Sequence, residues 1–189
     1  MKRIIELPCT GLEKTQANML EIPLYQVWLP EMPDMETYEK AIDLHFGVLK
    51  EQGVKFAVFG DIFLEDLKKY RENQFYKIRM KTIFPLWKRN SLHLVKEFIA
   101  LGYKTIVVCA RKDLKDFCGR VIDQSFLDNL PNDVDPCGEN GEFHTFVFDG
   151  PIFIEPIYFE IGELVYKNLA PDQKSVGEQG YWYIDLVPF

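Results

Sequence analysis

The stretch VKFAVFGDIFLED, residues 54–66, decides the fold. Residues 54–59 make a short run dominated by Val and Phe, closed by Gly60. A run this short, rich in Val and Phe, reads as a strand covered on both faces. A helix over 64–74 follows, then a strand over 82–84. Asn90 or Ser91 next caps a helix that runs to Leu101 and stops at Gly102, ahead of a strand over 104–109. Upstream, 10–21 reads as a helix ending toward Pro23, and 24–29 as a strand. Asp34 caps a helix carrying Met35, Tyr38, Ile42, Phe46 and Leu49 at helical spacing, and Gly53 ends it. Strands alternating with helices imply an α/β fold with a doubly wound parallel sheet.

Beyond Arg111 the rhythm changes. A short helix over 124–130 leads into a polar loop, and the remainder is strand-like: FHTFVF, IFIEPIYFEI and YWYIDLVPF. The chain thus divides near 87–90 into a doubly wound half, 1–88, and a smaller α+β lobe, 89–165, with an extension over 166–189. That extension reads as an added edge strand or a partner contact. In open α/β sheets ligands bind at the carboxyl ends of the strands, often beside a second lobe.

Composition narrows the function classes. The 189 residues are 47% hydrophobic, enough for a proper core, and the net charge is −7. An acidic chain lacks the basic face that a phosphate-backbone binder uses to displace counterions, so no direct nucleic-acid contact is expected. No apolar run reaches the ~18 residues of a membrane span. Cys9, Cys109, Cys118 and Cys137 form no C-x-x-C pair, so reduced thiols and a cytoplasmic setting are expected.

Two segments carry candidate chemistry. Gly60 and Asp61 stand at the carboxyl end of the 54–59 strand, where glycine permits close approach to a ligand and Asp61 offers a hard oxygen to Mg²⁺. Glu65 follows on the next helix, with Lys69 one turn beyond it. Trp87, beside Lys88 and Arg89, offers either a stacking face for a base or a filler for the seam between lobes. The second segment, DPCGENGEFHTFVFDGP (135–151), packs two glycines and two carboxylates into six residues and runs straight into an apolar strand. Strand alternation would place Glu142 and His144 on one face, a carboxylate beside an imidazole. A nucleophilic Cys137 would need a base that only the fold can supply, and Cys137 with His144 fits no zinc spacing.

Taken in order, FGDIFLEDLKKYRE, IFPLWKR, EFIALGYKTIVV, CGR and DPCGENGEFHTFVFDGP resemble the diphthine–ammonia ligase family of ATP-pyrophosphatase domains, over roughly 10–163. The resemblance implies an adenine nucleotide α-hydrolase-like sheet joined to a family-specific lobe. It also implies an ATP-dependent ligase that adenylates a carboxylate and then amidates it with ammonia. The family's acid is diphthine on an elongation factor; a bacterial source would require another acid. On this carry-over Gly60, Asp61, Glu65 and Trp87 belong to the nucleotide end, with Asp61 toward Mg²⁺. Gly138, Asn140, Gly141 and Thr145 belong to the acyl-substrate side, with Glu139, Glu142 and His144 as the catalytic candidates. The resemblance further implies a phosphate loop of the S-G-G-K-D-S kind. No such string occurs here, and Met1 aligns beyond it, so either the recorded start is too late or the phosphate cradle is lost. An N-terminally truncated sheet with exposed edges, dimerisation, or a catalytically impaired ligand- or partner-binding protein is the corresponding expectation.

Overall fold

The computed structural model describes residues 3–5, 12–30, 33–168 and 180–189. It separates into two compact units: the first holds β1 (Arg3–Ile5) and Ile22–Arg89, the second α1 (Leu12–Met19) and Asn90–Phe189. The expected helix near the start therefore does not stay with the first half. Leu12 and Met19 instead join a cluster with Ile106, Phe146, Ile157, Ile184 and Leu186 in the second unit. Gln16 anchors the helix there by donating from Nε2 to the Val147 carbonyl at 2.7 Å. Cys9 lies outside the described residues.

In the first unit, β1 pairs in parallel with β2 (Leu24–Gln26), and β3 (Phe56–Val58) pairs in parallel with β4 (Lys81–Ile83). Helix α2 (Met35–Glu51) precedes β3, and α3 (Glu65–Lys77) joins β3 to β4. The capping reading holds for α2: Asp34 accepts the Thr37 amide at 2.8 Å, and Gly53 takes φ +88° beyond the last turn. Ile42, Ala57, Phe75 and Met80 form the core, with Phe46 and Phe59 edge-on to Phe75. The strand 54–59 is shorter than expected and is not covered on both faces. Ala57 is 7% exposed, but Phe56 and Val58 are 49% and 46% exposed.

The second unit is built differently. β5 (Lys104–Arg111), expected to continue a parallel sheet, instead pairs antiparallel with β6 (Phe143–Asp149) and with β8 (Gly180–Pro188). β7 (Phe159–Asn168) completes a four-stranded sheet of order β6-β5-β8-β7. Helices α4 (Ser91–Ala100) and α5 (Gln124–Asn129) and the 3₁₀ turn Lys112–Phe117 cover one face, around Val95, Val107, Leu114, Phe126 and Phe143. Asn90 caps α4 by accepting the His93 amide at 3.0 Å.

The architecture is mixed α/β, with two parallel strand pairs and one antiparallel sheet; a single doubly wound sheet is not formed among the described residues. The physical reason lies in periodicity. A short apolar run registers burial of a strand but not the direction of its neighbours. The final strand is not an added edge either: β8 lies between β5 and β7 in the interior of the sheet. No helix of the described residues is long and apolar enough to cross a membrane.

Candidate functional site

The loop before β6 is tied by its own carboxylates. Asp135 Oδ2 accepts the amides of Cys137 and Glu139 at 3.0 and 3.1 Å, a turn that aspartate forms readily with backbone a few residues ahead. Glu142, only 2% exposed, closes the other end. Its Oε1 accepts the Asp135 amide and the Asn140 side-chain amide, both at 3.0 Å, and its Oε2 accepts the Asn140 backbone amide at 2.9 Å. Burial pushes this carboxyl up, but the hydrogen bonds from Asn140 and Asp135 outweigh it, so it stays ionised below the ordinary carboxylate range.

Both glycines of this turn take left-handed backbone, Gly141 at φ +82° and Gly138 in the tighter surroundings. Gly138 takes φ +70°, and an added Cβ would meet the Phe143 carbonyl oxygen at 2.7 Å and its ring at 3.1 Å. Phe143 in turn is edge-on to Phe126, so the turn rests on the core. The polar string is thus a fixed platform, not a solvated linker.

Glu142 and His144 do not share a face. Glu142 lies in the bend ahead of β6 with its side chain buried, whereas His144 is exposed, so strand alternation does not yet apply at 142. His144 and Thr145 are exposed together, between the buried Phe143 and Phe146. Phe143 and Phe146 pack in different clusters, so His144 and Thr145 alternate onto the two faces of β6, opposite a register shift in β5 between Val107 and Cys109. Such a bulge adds local twist and re-aims neighbouring side chains. Although the residue as a whole is exposed, desolvation of the His144 ring lowers its pKa and favours the neutral imidazole. Cys137 donates to the Ser91 carbonyl at 3.5 Å, and burial, with Asp135 and Glu139 nearby, pushes its thiol up to about 12. A thiol held protonated at neutral pH is a poor nucleophile.

An open cleft of about 690 Å³ flanks this loop, lined by Arg111, Lys112, Asp113, Asn140, Gly141 and Tyr181, with Gly180. Tyr181 donates to the Gly141 carbonyl at 3.2 Å, and Trp182 Nε1 donates to the Lys112 carbonyl at 3.2 Å. Sequence reading identified Asn140 and Gly141 here but missed Arg111, Lys112 and Tyr181. The only available signal was the aromatic YWY run, and nothing in it revealed that Tyr181 stands opposite Arg111 across β5 and β8.

The other candidates lie in the first unit. Gly60 and Arg71 line a larger groove of about 980 Å³ that follows β3, together with Phe56, Val58, Gln74 and Phe75. Asp61, 7% exposed, faces Arg71 Nε, at 3.2 Å from Oδ1 and 3.0 Å from Oδ2. The Oδ2 approach is an ion pair without hydrogen-bond alignment. Among the described residues no group of three or more His, Cys, Asp or Glu side chains gathers as a metal cage. Glu65 pairs with Lys88 at 3.1 Å, not with Lys69, and both side chains are largely exposed. Trp87 is edge-on to Phe84, and the Lys68 ammonium lies 5.2 Å from its ring. Neither Glu65 nor Trp87 lines the groove.

Residues 90–170, which include the whole tied loop, match the family model of the diphthamide synthase C-terminal domain. Over this span the chain is similar to the diphthine–ammonia ligases. Proteins named diphthine–ammonia ligase from Homo sapiens and Bos taurus are 29% and 30% identical to it over 126 residues, 62% of this chain. The one from Schizosaccharomyces pombe is 28% identical over 100 residues, half of this chain. The chain spans about half the length of the two mammalian relatives, 47% of each, and 16% of the yeast protein.

Proposed function

We propose that the chain acts in an ATP-dependent ligase of the diphthine–ammonia ligase type. In this reading a substrate carboxylate displaces pyrophosphate from ATP, and ammonia then displaces AMP to leave an amide. The observation that carries the reading is the family match over 90–170, centred on the tied loop. The names of the relatives support a ligase in the diphthamide pathway.

Within it, Glu139, Asn140, Gly141, His144 and Thr145 meet the acyl substrate. Glu142 and Gly138 hold the loop that presents them, because a carboxylate with three internal hydrogen bonds is already committed. A neutral His144 suits proton acceptance from the attacking ammonia as its nitrogen bonds to the acyl carbon. Gly60 and Asp61 belong to the nucleotide end, with Trp87 as a nearby aromatic face and Glu65 as a surface carboxylate. A single carboxylate engaged by Arg71 does not make a resident metal site. Mg²⁺ fits better as an ion arriving on the phosphates of ATP, which supply most of its ligands.

Calorimetric titration with ATP and Mg²⁺, coupled to a pyrophosphate assay with carboxylate and ammonia present, tests the reading. Saturable binding with carboxylate-dependent pyrophosphate release is expected; absent binding sinks it. The commitment of Asp61 to Arg71 favours one alternative, a protein that binds its ligand or partner without turning over ATP. Saturable binding with no pyrophosphate release would support that alternative.

A further inference from the structure

We propose that the cleft beside the tied loop is a carboxylate-binding site in which Arg111 grips the ligand and Tyr181 fixes the lining turn at Asn140 and Gly141. It deepens the ligase reading and rests on it for naming the bound carboxylate as the acyl substrate.

Arg111 is held in a fixed orientation by Asp113. Its Nε and Nη2 are held by the two oxygens of Asp113 at 2.6 and 2.7 Å, which fixes the plane of the guanidinium. A guanidinium carries five N–H donors in a rigid fork, and Asp113 takes the Nε–Nη2 edge. The Nη1–Nη2 edge is the one that a ligand carboxylate would take as a second bidentate partner. The side chains of the pair are 41% and 58% exposed, so Asp113 orients the cation in solvent more than it neutralises it. The hydrogen bond to Asp113, against the opposing effect of burial and with the negative charges of Asp113, Glu142 and Asp133, raises the guanidinium's pKa.

The walls add to this. Lys112 places a second cation on the rim, so the cleft lining carries two cations and one carboxylate in a protein of net charge −7. Another part of the lining is Asn140 and Gly141, and Tyr181 pins that turn through the Gly141 carbonyl. Glu142 holds the same turn through the Asn140 backbone amide. The donors of this turn are engaged within the protein: Gly141 N–H on the Gly138 carbonyl, Asn140 N–H and Nδ2 on Glu142, and the Tyr181 hydroxyl on the Gly141 carbonyl. The turn therefore supplies a fixed wall, and Arg111 supplies the grip on an anion. Tyr181 comes from β8, beyond the 90–170 span of the family match.

The test uses the full chain labelled with ¹⁵N and titrated with glutarate, its neutral diamide glutaramide, and inorganic phosphate. Glutarate is expected to shift the amides of Asn140, Gly141 and Tyr181 saturably, while glutaramide leaves them in place and phosphate binds more weakly. Arg111→Gln is expected to weaken glutarate about tenfold or more, the loss of a charge-assisted bidentate contact. Arg111→Lys is expected to recover only part of it, because charge returns without the fork. Tyr181→Phe, a milder change that keeps the ring, is expected to weaken binding a few-fold and covers the case of a poorly folded Arg111 variant. Equal shifts with glutaramide, tighter binding of phosphate, or glutarate shifts that survive unchanged in both Arg111→Gln and Tyr181→Phe would overturn the site. Glutarate binding with no pyrophosphate release from any carboxylate would support the cleft and remove the ligase reading. Pyrophosphate release unaffected by Arg111→Gln would do the reverse.

Discussion

The two candidate regions use carboxylates in opposite ways. In the second unit, Asp135 and Glu142 spend their oxygens on the loop's own amides, and the result is a rigid turn seated on Phe143. In the first unit, Asp61 spends its oxygens on one cation, Arg71, at the end of a strand that borders an open groove. The first arrangement builds a platform that presents neighbouring residues. The second holds a charge pair that can be re-partnered. The lesson is that two glycines and two carboxylates in six residues signal order, and the groups left to meet a ligand are their neighbours.

Substitutions separate these two modes. Gly138→Ala should be the most damaging, because it combines a left-handed backbone with a Cβ 2.7 Å from a carbonyl oxygen. About 3–4 kcal/mol of stability should be lost in urea unfolding. By contrast Gly60→Ala, where a Cβ meets nothing within 4 Å, should change stability by less than about 0.5 kcal/mol. A large effect at Gly60 would break the contrast.

Glu142→Ala should cost about 2–3 kcal/mol, since it strands buried amides of the turn. The same carboxyl gives a pH signature. Its folded pKa is lowered, so its stabilisation is complete above its unfolded value and is lost as pH falls through the folded value. Acid unfolding of the second unit should therefore be shallower in Glu142→Gln, as read by hydrogen exchange at Asn140 across that range.

Arg71→Leu should cost about 1–2 kcal/mol, less than a fully buried pair would, because the arginine is itself 28% exposed. Glu65→Ala, which removes a surface pair with Lys88, should fall below about 0.5 kcal/mol by the same measurement. An effect at Glu65 comparable to that at Arg71 would show that the surface helix carries more than a solvated charge.

Much of the local structure was legible in the residues. Asp34, Gly53 and Asn90 mark helix ends because capping chemistry is local, decided within four residues. The tied loop was legible as a site because its composition departs so sharply from the apolar strand it enters. The burial of Glu142 was not, since the pairing of its oxygens with Asp135 and Asn140 depends on a turn whose geometry Phe143 and Phe126 support. Nor could the sequence reveal the register shift between Val107 and Cys109, opposite Thr145 and His144.

By itself, then, the sequence determined the elements, the capping residues, the importance of residues 135–145 and the family resemblance. These rest on local spacing and on an ordered string of motifs. Only the tertiary structure decided how the strands pair, that β8 lies inside the sheet, and that Tyr181 reaches the loop across from Arg111. Those facts depend on contacts between residues 40 or 70 positions apart, which no local periodicity encodes.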